Sequence, residues 1–339
     1  MNLAAIFINP ETKLLRSGWR LLVFMVLTFP LWPLGGSGEA QSSTFEIGWG
    51  LIATYVILII WVGAPSWLCL KFLDRLSFGA LGLTWQRGWQ REVLLGCVMS
   101  VVMMTVVVTL QALGGGTRLT LNPMLTMNQG GIVTVANSTI VALVLFILAG
   151  AFEELLFRGY PFQTLLRGAP TIVPLLLLSI LFGAGHWSNP NRTIFSTANT
   201  VLAGIWLAVA YLKTRRLWFP IGLHFMWNWM MSVFYGLPVS GLRMTASPVF
   251  ISTSEAPVWL TGGNYGSEGG AAATVVLVIA IIVVWRAGWL SVVPEMQSLL
   301  EPRTTVSEPM IGLGLTSESE KQEADDLAST TNHQPPTPT

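Results

Sequence analysis

The chain has 339 residues, 52% of them hydrophobic and only 10% charged, with fifteen tryptophans and a net charge of +1. An ordinary soluble domain carries about 25% charged residues, so this composition excludes one and indicates a polytopic membrane protein. A charge so near zero gives no reason to expect nucleic acid as a partner.

A spanning helix needs about 20 mostly apolar residues. Eight segments approach that length, near 18–34, 48–70, 93–113, 132–157, 171–187, 196–212, 217–237 and 270–290. The first follows a basic stretch and precedes Gly38-Glu39-Ala40, which also fits a cleaved signal peptide. Against cleavage stand the length of the basic region and a charge pattern that works with the helix retained; the sequence leaves both readings open. The fourth segment meets no breaker before Leu166 except Gly159-Tyr160-Pro161, so an extension to Leu166 is expected. The sixth is short and polar at its start.

Loop charges set the orientation. With a cytoplasmic N-terminus, fifteen of the eighteen basic residues fall on the cytoplasmic side, and only Arg118, Arg192 and Arg243 fall outside. Such asymmetry follows the positive-inside rule and places both termini in the cytoplasm. Cys69 and Cys97 lie in or beside apolar segments and suggest neither a disulfide framework nor a CxxC metal site. The loop 238–269 is rich in Gly and Ser and contains TGGNYGSEGG. From Glu301 the chain turns to Ser, Thr, Glu and Pro, a composition that cannot bury a core and is expected to be disordered. The organisation is therefore N-terminal helices over 1–130, a core over 131–237, a loop and last helix over 238–300, and a polar tail over 301–339.

Against this apolar background a few residues stand out. Glu153, Glu154 and Arg158 lie in EELLFRG, His186 ends FGAGH, and His224 and Asn228 share HFMWN. Ionisable groups at bilayer depth are costly and mark functional sites when they face a protein interior or a watery cavity. Adjacent Glu153 and Glu154 point about 100° apart on a helix, which suggests divided roles. Glu154 and Arg158 are four apart and share a face, with the acid N-terminal as favoured; they are expected to form a structural ion pair. Glu153 is then free to act as a general base on water. The small residues before His186 allow close approach of another helix. His224 and Asn228, one turn apart on one face, suit two hydrogen bonds to one developing negative charge. Glu153, His186 and His224 also suit zinc with an open position for water, although there is no HExxH. The residues alone do not separate zinc-bound water from water held between Glu153 and His186.

In this order the motifs resemble the CPBP family of membrane proteases, which includes the CAAX prenyl endopeptidases and bacterial immunity-type relatives. The family pattern is EExxxR, FxxxH and HxxxN/B. Here it reads Glu153-Glu154-x-x-x-Arg158, Phe182-x-x-x-His186 and His224-x-x-x-Asn228. The strong match covers about 140–235, and LRSGWR and TGGNYGSEGG also look like features of bacterial members. The resemblance implies an all-α, multi-pass protein of the bacterial plasma membrane, with about eight helices enclosing an intramembrane catalytic chamber. It implies an endopeptidase in which Glu153 and His186 activate water while His224 and Asn228 stabilise the oxyanion. Its expected partners are the lipid bilayer and a membrane protein or lipidated CAAX-type peptide as substrate. The cofactor stays open between zinc and a metal-free glutamate mechanism. Two rivals remain on the sequence: a non-catalytic scaffold or immunity-type partner, and a proton-coupled transporter, for which inverted repeats are lacking. One condition attaches to the site. Glu153 nears the cytoplasmic end of its helix and His186 the opposite end of the next, so they meet only if the fourth helix extends to Leu166.

Overall fold

The computed structural model describes residues 4–28, 47–115, 117–127, 129–244, 247–255 and 257–300. The expected tail and residues 29–34 of the first apolar segment lie outside them. Nine helices frame the site: α1 (Ser17–Thr28), α2 (Trp49–Cys69), α3 (Trp89–Leu113), α4 (Gln129–Phe157), α5 (Tyr160–Leu166), α6 (Ile172–Gly185), α7 (Ile194–Thr214), α8 (Trp218–Trp229) and α9 (Ala271–Arg286). Each of the eight apolar segments thus contains a helix over most of its described residues. Among the described residues four runs are long and apolar enough to cross a membrane: Trp49–Asp74, Trp89–Leu113, Gln129–Leu166 and Ile194–Thr214. The helices α1, α6 and α9 are apolar but shorter.

The surface is the reverse of a soluble protein's. Ile57 and Ile60 on α2, Val102 on α3, Ile140 on α4, Ile180 on α6 and Ile279 on α9 all face outward. A girdle of this size suits lipid as the solvent. By contrast α8 is buried on nearly every side, from Phe219 and Leu223 through Phe225 and Trp227. A helix apolar all round belongs in an interior, and here α3, α4 and α7 surround it.

Glycines set how closely these helices approach. A Cβ on Gly96 of α3 would stand 2.6 Å from the Phe219 carbonyl, and one on Gly222 of α8 would stand 2.5 Å from that of Val93. The small residues before His186 do what their size suggests. Gly183 of α6 faces Val201, and Gly204 of α7 leaves only 2.9 Å between a Cβ and the Ser179 Cα. The polar start of α7 is a capping box, with Thr193 and Ser196 exchanging side-chain and backbone hydrogen bonds. That satisfies two orphan donors and starts a helix where hydropathy is weak.

The expected extension of α4 is present, with a break. Arg158 and Gly159 form a turn, after which α5 continues to Leu166. A Cβ on Gly159 would lie 2.1 Å from the Leu155 carbonyl, so no larger residue fits this turn.

Several arginines counted as loop charges are instead built into the protein. Arg20 and Arg167 both bind Asp74 Oδ1, the latter at 2.7 Å, where a π-helical turn after α2 presents the carboxylate. Arg216 donates from Nε to Glu92 at 2.9 Å and joins the start of α3 to the α7–α8 turn. Arg158 is 1% exposed. Buried carboxylates, and not headgroups, neutralise these guanidinium groups.

Among the described residues the fold departs from the all-α expectation in a two-stranded sheet. β1 (Thr117–Leu121) and β2 (Phe250–Ser254) pair antiparallel, with Thr117 opposite Ser254 and Leu121 opposite Phe250. The 238–269 segment is therefore ordered where described. Ser267 donates to Gln111 of α3 at 3.0 Å, and Asn199 of α7 donates to the Glu268 and Gly270 carbonyls.

Candidate active site

Glu153, Glu154, Arg158 and His224, four of the polar residues singled out in the sequence, meet where α4 packs on α8. Glu154 is fully buried and serves two partners with one oxygen: Arg158 at 2.9 Å and His224 Nδ1 at 2.8 Å. Its expected pairing with Arg158 is present, yet it is more than an ion pair. A carboxylate only accepts, so His224 Nδ1 carries the proton of that bond and its ring orientation is set. Arg158 is held in turn by the Gly204 carbonyl at 2.8 Å and lies 4.7 Å over the Phe182 ring. Every element of this network is desolvated, which makes the placement firm and its disruption costly.

Glu153, one residue back, faces the other side of the same imidazole. Its Oε2 is 3.7 Å from His224 Nε2 and makes no hydrogen bond although that atom is buried. The 100° step between neighbours on α4 thus lets two carboxylates reach the two nitrogens of one histidine. Glu154 is committed to holding the ring; Glu153 is left with an oxygen to spend.

His186 terminates α6. Its Nδ1 donates to the Phe182 carbonyl at 2.8 Å, which leaves Nε2 as an acceptor in the neutral ring. Phe182 joins the two histidines: its ring centroid lies 5.0 Å from that of His186 and 5.9 Å from that of His224. The FxxxH spacing therefore has a physical meaning, since one residue fixes the histidine with its backbone and packs both imidazoles with its ring. Phe182 is thus the ring that both imidazoles share. Asn228 is half-buried one turn along α8 from His224. Among the described residues it has no hydrogen bond to the others of the set.

The zinc expectation fits poorly. Among the described residues no group of three or more His, Cys, Asp or Glu side chains is placed to hold a metal ion. Glu153 and His224 face each other, but His186 does not complete a ligand set with them. A metalloprotease therefore finds no support, and no step below passes through a metal.

Sequence reasoning missed one acidic residue close to the site. Glu268 lies in the TGGNYGSEGG run and accepts from both the backbone N–H and the Oγ–H of Ser240. Burial pushes its carboxyl above the usual carboxylate range, and the neighbouring His186 opposes that rise. The only signal in the sequence is one carboxylate amid five glycines, in a segment otherwise read as a loop.

No curated protein and no solved structure matches the chain. Residues 135–230, which contain all three motifs, match a family model described as type II CAAX prenyl endopeptidase Rce1-like.

Proposed function

We propose that the protein is an intramembrane endopeptidase that hydrolyses a peptide bond of a membrane-associated, CAAX-type prenylated substrate. The observation that supports this most is the Glu153–His224–Glu154–Arg158 array, in which the buried Glu153 Oε2 makes no hydrogen bond and lies 3.7 Å from the imidazole that Glu154 orients.

In this reading Glu153 Oε2 takes a proton from a water whose second acceptor is His186 Nε2. The hydroxide adds to the scissile carbonyl carbon, and the negative charge develops on the carbonyl oxygen. His224 and Asn228 donate to that oxygen. With Nδ1–H given to Glu154, His224 does so as an imidazolium, its charge balanced by the flanking carboxylates. Collapse of the tetrahedral intermediate expels the amine, which takes the proton from Glu153. Positioned acid–base groups contribute about 10²–10⁴-fold, and one oxyanion donor about 10²–10³-fold.

The membrane arrangement belongs to the same proposal. Eight helices cross the bilayer, both termini are cytoplasmic, and the bundle encloses the reacting residues below the surface of a bacterial plasma membrane. The test is cleavage of a prenylated CAAX peptide by the purified protein, with Glu153→Gln as control. Cleavage by wild type and none by the variant is expected. If a phenotype of the wild-type gene is fully restored by both Glu153→Gln and His186→Ala, the protein works by binding, and the hydrolase reading falls.

A further inference from the structure

The segment between α8 and α9 presses on the turn that follows His186. Asn189 donates its backbone N–H to the His186 carbonyl at 3.1 Å and its Nδ2 to the Ser240 carbonyl at 2.9 Å. Ser240 is gripped from its other side by Glu268, through both its backbone N–H and its hydroxyl. Glu268 is anchored in turn at its own carbonyl by Asn199 of α7, at 2.9 Å. These bonds run without a gap from the carboxylate to the residue that begins the turn.

Two further features single out this junction. Ser240 has φ +47°, a left-handed conformation uncommon for a residue with a side chain. Such a backbone persists where its surroundings hold it, and holding sites of this kind cluster beside active sites. Next to it, Gly241 at φ +85° brings the chain so close to the turn that a Cβ would lie 2.0 Å from the Pro190 carbonyl. The contact is therefore backbone against backbone, with no slack for a side chain.

We propose that Glu268 is a positioning residue for His186: its side chain clamps Ser240, and Ser240 holds Asn189 and with it the turn that aims the imidazole. The inference rests on the hydrolase reading only for the purpose of the aim, not for the clamp itself. The carboxyl is held above the ordinary carboxylate range by burial. A neutral group of the same shape therefore serves the clamp, since both of its bonds are accepted by one oxygen.

The test uses the full chain in lipid nanodiscs, with two readouts. Hydrogen exchange at residues 186–192 reports the turn whether or not the protein is active. Glu268→Ala and Asn189→Ala are each expected to raise that exchange about ten- to hundredfold, as loss of a hydrogen bond to a charged or buried group implies. Glu268→Gln should keep it near wild type. Hydrolysis of a prenylated CAAX peptide reports the aim: Glu268→Ala should lower kcat at unchanged KM, and Glu268→Gln should restore it. Unchanged exchange in both alanine variants overturns the clamp. Raised exchange with unchanged kcat overturns the positioning role. If wild type cleaves nothing, the hydrolase reading falls, and exchange alone then decides whether Glu268 holds the turn.

Discussion

Arg158→Ala should destabilise the protein far more than a surface change. The guanidinium is 1% exposed, bonds Glu154 at 2.9 Å and the Gly204 carbonyl at 2.8 Å, and covers the Phe182 ring. Its loss leaves Glu154 with His224 as its sole partner and a second oxygen already without one. Breaking a buried pair by removing one member costs about 3–5 kcal/mol, and the orphaned carbonyl adds about 1–3 kcal/mol. At about 2 °C per kcal/mol for a chain of this size, the melting temperature should fall by roughly 8–16 °C. Tryptophan fluorescence of the detergent-solubilised protein during heating measures this directly, with fifteen tryptophans as reporters. Glu154→Gln on the Arg158→Ala background should recover part of the loss, because it removes the unpaired charge. An Arg158→Ala protein that melts like wild type yet cleaves nothing would show that Arg158 acts on substrate, and would refute the structural assignment.

Other substitutions separate chemistry from packing. Glu153→Gln should leave the melting temperature within about 1 °C, an expectation drawn from the absence of any hydrogen bond on its Oε2, while cleavage falls by about 10²–10⁴-fold. Asn228→Ala should cost about 10²–10³-fold in kcat if it serves the oxyanion; an unchanged kcat removes it from the site. Gly204→Ala sets a Cβ against the Ser179 backbone and should destabilise by about 1–3 kcal/mol, read as a lower melting temperature. A chain truncated after residue 304 should insert into membranes and cleave as the full chain does, and loss of cleavage with normal insertion would assign the tail a role.

The helices were legible because apolar runs near spanning length have few alternatives. The site was legible for the opposite reason, since carboxylates and histidines are conspicuous where nothing polar belongs. Spacing alone placed Glu154 beside Arg158 and His224 in line with Asn228. What spacing does not convey is which residue of another helix fills the remaining direction. The bond from Glu154 to His224 spans 70 residues and depends on how α4 and α8 rotate against each other, a tertiary quantity. The small sheet was missed because Thr117–Leu121 and Phe250–Ser254 are five residues each and lie in separate loops. Glu268 was hidden for a related reason: the neighbouring Gly266 and Gly270 press on the Pro238 and Leu260 carbonyls, close approaches that spacing does not reveal.

The burial of α8 also bears on how the protein is made. Its twelve helical residues reach about 18 Å, and with the π-helical turn that follows, about 26 Å, short of the roughly 30 Å hydrocarbon layer. It bears His224 and Asn228, which lipid alone would leave unsatisfied. Such a segment is a poor client for an insertion machinery that hands helices to lipid one at a time. It gains a partner for His224 only when α4 already offers Glu154, and a close-fitting groove only when α3 already offers Gly96. Biogenesis should therefore have a late step, in which α8 enters a cradle formed by helices synthesised before it.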